Sequence, residues 1–157
     1  MKKKVLKLVA VLSLAMLLFT GCGGGTVKTI DTAVLADDLY AGVTWQDQLS
    51  EIDLNKALTL YGINSDAVAS GKVYMGTNAT AEEIAVLEAS SEEQVSVIED
   101  GVVARIDAQK TSFQSYNAAE VPKLENAYVQ TKGNYVILCV CDDKSEAEAI
   151  VNSCFAE

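Results

Sequence analysis

The chain has 157 residues, of which 22 are acidic and 12 basic, so its formal net charge at pH 7 is −10. Such an acidic surface repels nucleic-acid phosphates, and we therefore expect no nucleic-acid partner. The sequence contains no histidine, which excludes serine–histidine and cysteine–histidine catalysis and removes the most common zinc ligand.

Residues 1–21 have the features of a secretory signal peptide. Basic residues at the start precede an apolar run, Leu8–Phe19, that is too short to cross a bilayer as a mature helix. The next residues, Gly21-Cys22, resemble the bacterial lipobox, in which the cysteine receives diacylglycerol and becomes the first mature residue. This resemblance implies lipidation at Cys22 and attachment to the outer, extracytoplasmic face of the cell membrane. Cleavage would remove four basic residues and no acidic one, which brings the net charge to −14.

The mature chain is expected to consist of a tether and one domain. Residues 22–31 begin with three glycines after Cys22 and continue with polar residues, which is typical of a flexible spacer. Residues 32–157 have the length of a single domain with one real core.

The N-terminal part of this domain is predicted to be helical. A first helix begins at Asp31 or Thr32, both good capping residues, and continues to about Tyr40. The pattern of Val43–Ile52 fits either a helical face or a short strand, and both alternatives stay open. A second short helix is predicted at Leu54–Tyr61.

The middle of the chain changes to strands and then to a long helix. Strands are predicted at Lys72–Met75 and at Glu83–Ala89, although a helix is the competing interpretation of the second segment. Ser91 and the glutamine three residues later form a predicted capping box, which starts a helix that continues to Tyr116. Gly101 inside this helix weakens it and is expected to let it approach the sheet closely.

The C-terminal part contains the densest apolar alternation. Leu124–Thr131 is predicted to be a strand, and Pro122 before it is expected to keep the chain extended. Tyr135–Cys141 is apolar on both faces, which is typical of a central strand covered on both sides. Asp143 is the predicted cap of a last helix with an apolar stripe that ends at Cys154.

Two segments share one order of elements, which predicts the fold class. Residues 73–103 and 128–155 each read as strand, turn, strand and amphipathic helix. Two such ββα units predict an α+β fold with a four-stranded, largely antiparallel sheet and both helices on one face. The short N-terminal helices, residues 32–61, would then cover the other face.

The cysteines of the domain are the candidates for redox chemistry. Cys139 and Cys141 lie on the same face of one predicted strand, and Cys154 lies on the stripe of the next helix. A disulfide from Cys154 to Cys141 or to Cys139 is one interpretation, and burial of all three as small apolar residues is the other. A redox-active thiol would require Cys139 or Cys141 to be exposed with a lowered pKa.

Three pairs of adjacent carboxylates are the remaining candidates for catalysis: Glu82-Glu83, Glu92-Glu93 and Asp142-Asp143. All three are predicted at turns or helix starts, where acidic residues stabilise the N-terminal end of a helix. No calcium-loop spacing surrounds Asp142-Asp143. We therefore predict no catalytic residue, no metal and no cofactor.

Four stretches carry a resemblance to a known family: GVTWQDQLSEID (42–53), LYGI (60–63), EEIAVLEA (82–89) and SYNAAEVPKLENAYVQTKGNYVILCVCDD (115–143). They resemble a family of Gram-positive bacterial lipoproteins whose domain is known only as a domain of unknown function. The resemblance extends from Thr32 to Phe155. It implies a small envelope lipoprotein and brings no activity with it.

The expected function is that of a non-catalytic accessory or binding module. It would be attached to the membrane through diacylglycerol on Cys22 and would bind an envelope protein or polymer. The alternative is an enzyme that acts on an envelope polymer through carboxylates. A concave pocket with two converging carboxylates would favour this alternative.

Overall fold

The computed structural model describes residues 27–156, so the predicted signal peptide and Cys22 lie outside the described residues. The elements are α1 (Thr32–Gly42), β1 (Ser50–Ile52), α2 (Leu54–Tyr61), β2 (Val68–Met75), β3 (Glu83–Ala89), α3 (Val95–Tyr116), α4 (Val121–Glu125), β4 (Tyr128–Lys132), β5 (Tyr135–Val140) and α5 (Lys144–Phe155). The strands form one sheet in the order β1-β2-β3-β5-β4, and every neighbouring pair is antiparallel. The predicted α+β class is confirmed.

The sheet has five strands where four were predicted, because part of the ambiguous segment is a strand. Ser50–Ile52 pairs with the end of β2, with Ile52 opposite Val73. The segment before it, from Val43, is irregular. The predicted strand at Glu83–Ala89 is confirmed as β3.

Helices cover both faces of the sheet, and the prediction that α3 and α5 share one face is wrong. Every residue of β5 is buried and six of the seven in β3 are, so side chains on both faces need cover. Apolar residues of α2 and α3 pack on one face, where Leu87 and Leu138 lie. Apolar residues of α1 and α5 pack on the other face, where Val86 and Ile137 lie. The two ββα units therefore agree in element order but differ in the side on which the helix returns.

The first two helices follow their capping residues. Asp31 accepts hydrogen bonds from the backbone nitrogens of Ala33 (2.8 Å) and Val34 (3.3 Å). Asp53 caps α2, and Gly62 ends it in the left-handed conformation.

No helix within residues 27–156 is long and apolar enough to cross a membrane.

Two predictions about α3 are corrected. The Ser91 side chain makes no capping hydrogen bond, because a 3₁₀ turn at Glu92–Gln94 precedes the helix. Gly101 faces the loop after α2 rather than the sheet. A Cβ atom there would overlap the Ile63 side chain and would lie 3.0 Å from the carbonyl oxygen of Tyr61.

The predicted strand at Leu124–Thr131 begins too early. Pro122 lies in the first turn of α4, where a missing N–H costs nothing, and it therefore starts a short helix instead of extending the chain. The strand begins at Tyr128. Asp143 caps α5 as predicted, with its carboxylate 2.9 Å from the Ser145 nitrogen.

Candidate functional site

Charged side chains are buried at one end of the sheet, where β3 begins and β5 ends. Glu83 is paired with Val140 at this end, which we call the charged end. Glu82 and Glu83 are each 2 % exposed and their side chains lie on opposite faces of the sheet. Buried carboxylates are stable only with hydrogen-bond or charge partners, so their surroundings define the candidate site.

The first group of partners surrounds Lys123, and we call it the lysine cluster. The Lys123 Nζ lies 3.3 Å from Glu82, 3.1 Å from Glu120 and 3.5 Å from Asp142. Its side chain is only 4 % exposed. Burial alone would lower the pKa of Lys123, but these carboxylates outweigh burial and raise it. The ammonium therefore stays charged.

Glu82 and Glu120 also accept hydrogen bonds from the backbone. The Glu82 carboxylate accepts from the nitrogens of Gln46 (3.0 Å) and Asp47 (2.8 Å), which fixes the loop after α1. Glu120 accepts from the Ala81 nitrogen at 2.8 Å. The cluster therefore joins four segments that are far apart in sequence, namely residues 46–47, residues 81–82, residues 120–123 and Asp142.

A polar cleft of about 390 Å³ opens over the lysine cluster. It is lined by Gln46, Ala119, Glu120, Pro122, Lys123, Asn126 and Asp142. The Gln46 side-chain amide donates to Asp142 at 2.6 Å and so closes one wall. One ammonium and three carboxylates give the cluster a formal net charge of −2. The cleft can therefore receive a cationic or hydrogen-bonding group.

A second buried group lies on the opposite face of the sheet. Arg105 binds Glu83 with two nitrogens, Nη2 at 2.7 Å and Nε at 3.2 Å. The Tyr61 hydroxyl donates to the same carboxylate at 2.5 Å. Burial and the Glu83 charge raise the pKa of Tyr61 well above its usual value. Burial alone would lower the pKa of Arg105, but its contact with Glu83 raises it.

The three cysteines within residues 27–156 are free thiols, and Cys139 on β5 and Cys141 just after it are buried. The Sγ atoms of Cys139 and Cys141 are 3.8 Å apart. Their hydrogen bond and burial raise the pKa of Cys139 well above the usual thiol range. Neither predicted disulfide to Cys154 is formed. Cys141 lies just before the start of α5 and Cys154 lies in its last turn, roughly 15 Å along the helix.

The prediction that the three carboxylate pairs stabilise the N-terminal ends of helices is correct for only part of them. Asp143 caps a helix, but Asp142 lines the cleft. Glu82 and Glu83 cap no helix and carry the two buried groups. A concave pocket with two carboxylates would favour the enzyme alternative, and Glu120 and Asp142 do line one cleft, yet both contact the same lysine.

The sequence contains signals for these groups that the pattern analysis missed. Arg105 is the only arginine of the chain, and it lies on the half-buried side of α3. Glu120 and Lys123 are three residues apart, which places them on one side of a helical turn. A charge in an apolar helix or next to an apolar strand indicates a buried partner elsewhere in the fold.

Within residues 27–156, no group of three or more His, Cys, Asp or Glu side chains is arranged to hold a metal ion.

Comparisons with known proteins give one finding. No curated protein and no solved structure matches the chain. A family model described as Domain of unknown function (DUF4358) matches residues 43–141, which include both buried groups except Asp142. The match covers more than half of the chain, and the chain therefore belongs to this family.

Proposed function

We propose that this protein is an extracytoplasmic lipoprotein of a Gram-positive envelope and serves as a non-catalytic accessory or binding module. Its anchor is diacylglycerol on Cys22, after removal of residues 1–21. The support is the basic start, the apolar run and Gly21-Cys22 of the sequence. A single myristoyl-sized chain binds membranes only weakly, and the two acyl chains of diacylglycerol provide a stable anchor.

The observation that carries the non-catalytic part is the engagement of the buried carboxylates. Glu82 accepts hydrogen bonds from two backbone nitrogens and from Lys123, and Glu83 is bound by Arg105 and Tyr61. No buried side-chain nitrogen or oxygen in the described part of the chain lacks a partner. A general acid or nucleophile needs a group that is free to reach substrate, and these groups are committed to the fold.

The cleft over the lysine cluster is the proposed binding surface. Its net negative charge and its amide groups from Gln46 and Asn126 suit a cationic or hydrogen-bonding group of an envelope protein or polymer. The acidic surface disfavours nucleic acid.

The alternative proposal is a carboxylate enzyme acting on an envelope polymer. It is favoured by the position of Glu120 and Asp142 in one cleft. Substituting Asp142→Asn removes the more exposed carboxylate, whose side chain is 53 % exposed. An enzyme would lose turnover of purified cell-wall polymer by roughly a hundredfold or more. The accessory module shows no turnover in either form.

The anchor is tested by cell fractionation of Cys22→Ala and of a matched control, Cys154→Ala, which removes another thiol. We expect the Cys22 variant to leave the membrane fraction and the control to stay there. Membrane retention of the Cys22 variant at the wild-type level would refute the anchor.

The binding surface is tested by a photo-crosslinking residue at Asn126 in intact cells, with Asn152 on α5 as the control site.

A further inference from the structure

Residues 27–31, which come just before the first helix, lie against the domain. We call residues 27–31 the strap. The Lys28 ammonium donates to the carbonyl oxygens of Cys154 (3.0 Å) and Ala156 (3.2 Å) at the end of α5. A cation at the C-terminal end of a helix is held by its unpaired carbonyl groups and by the helix dipole.

Two further contacts fix where the strap meets the domain. The Ile30 nitrogen lies 3.3 Å from the hydroxyl of Tyr135, the first residue of β5. Val27 packs on the turn between β4 and β5, where its Cβ would lie 3.1 Å from a Cβ built on Gly133. The strap therefore enters the domain at the β4–β5 turn and the end of α5.

This entry point is at the end of the sheet opposite the charged end. Tyr135 is paired with Glu88 at the entry point, whereas Val140 is paired with Glu83 at the charged end. The strand between them spans roughly 16–20 Å. The cleft over the lysine cluster is thus separated from the strap by the length of the central strands.

We propose that the strap holds the domain on the membrane in one orientation, with the β4–β5 turn toward the lipid head groups and the cleft away from them. The inference rests on the proposed anchor at Cys22. Only residues 23–26 separate Cys22 from the strap, and the five residue steps from Cys22 to Val27 reach at most about 18 Å. The β4–β5 turn is therefore kept near the bilayer, and the cleft is presented to the envelope space.

The end of the domain with the β4–β5 turn faces the lipid surface, whether or not that surface is charged. Lys28 and Lys132 lie at this end, but so do Glu88 and Glu92. The mixed charges give no net attraction to anionic lipid, so the orientation results from the short connection and the strap contacts rather than from lipid charge. It should therefore be the same in phosphatidylcholine vesicles at low and at high salt.

Tryptophan fluorescence tests the orientation in the full lipidated chain. Trp45 is the only tryptophan, and it precedes Gln46, whose backbone nitrogen binds Glu82 at the charged end. The reporter for the other end is Asn134→Trp in a Trp45→Phe background. In phosphatidylcholine vesicles with a head-group spin label, we expect quenching at position 134 to exceed quenching at Trp45 severalfold. Equal quenching at the two positions would overturn the proposal.

A second variant tests the strap itself. Lys28→Ala with Tyr135→Phe removes the hydrogen bonds of the Lys28 ammonium and of the Ile30 nitrogen, and we expect the difference in quenching between the two reporters to fall at least twofold. Lys132→Ala is the matched control, since it removes a lysine at the same end that does not touch the strap, and it should leave the difference unchanged. Vesicle flotation is measured first. Protein that fails to float refutes the anchor, whereas floating protein without a quenching difference refutes only the orientation.

Discussion

Removal of Arg105 is the most direct test of the buried charges. In Arg105→Met the apolar stem is kept and the guanidinium is lost, so Glu83 keeps only the Tyr61 hydroxyl as a side-chain donor. The Glu83 side chain is 3 % exposed, so water cannot replace the lost partner without opening the fold. Leaving one charge of a buried pair without its partner typically costs about 3–5 kcal/mol. We expect the free energy of unfolding to fall by that amount.

The measurement is urea unfolding followed by Trp45 fluorescence and by circular dichroism. For a domain of this size, the expected loss corresponds to a decrease in Tm of roughly 10–15 °C. A matched control is Lys110→Met, because Lys110 is on the same helix and pairs only at the surface with Asp107. The control should change the free energy of unfolding by less than about 0.5 kcal/mol.

A double variant distinguishes loss of the pair from loss of packing. Arg105→Met with Glu83→Gln removes both charges, and we expect it to be more stable than Arg105→Met alone, because no buried charge is left unpaired. A loss below about 1 kcal/mol for Arg105→Met would refute the reasoning. A double variant that loses the sum of both single changes would refute it as well.

Three further predictions follow from other buried positions. The folded-state pKa of Tyr61 is raised, so the stability that its protonated form contributes is lost as the pH rises above 10.0, the usual pKa of tyrosine. Between pH 9 and 11, the urea concentration at the midpoint of unfolding should therefore fall less in Tyr61→Phe than in the control Tyr116→Phe. Gly101→Ala should destabilise by about 1–3 kcal/mol despite its better helix propensity, and Ile63→Ala should relieve part of that loss in the double variant. In native Cys22→Ala protein, a thiol reagent should modify Cys154 before the buried Cys139 and Cys141, which should react only after denaturation. An intact mass lower by that of two hydrogens would instead indicate a disulfide.

Local signals in the sequence predict much of the fold. Asp31, Asp53 and Asp143 are each followed by a helix, because a carboxylate that accepts from backbone nitrogens near the helix start fixes it there. The apolar run at Tyr135 predicts a central strand, since a side chain on either face must be buried. These features depend on neighbouring residues only.

The features that sequence analysis missed depend on contacts between distant segments. Helix α5 packs beside α1 on one face of the sheet, and this placement depends on contacts with segments outside α5. The burial of Glu82 likewise cannot be predicted from its neighbours in sequence, because its partners come from the loop after α1 and from α4. The predicted extended chain at Pro122 is wrong for a different reason. Proline favours an extended chain before it but also a helix start at its own position, and the helix start is what forms here.

The two buried groups also suggest how the strand register is kept. Glu82 and Glu83 are adjacent and face opposite sides of the sheet. After a slip of one residue only one of them could take the position of the other, so one buried cation would lose its carboxylate. Lys123 and Arg105 lie on separate helices and cannot follow such a slip. We infer that both pairs contribute to the specificity of the fold, and that the Lys123 pair contributes to the cleft as well. Binding experiments should therefore vary Asn126 or the more exposed Asp142, since loss of Lys123 would change the fold and the cleft together.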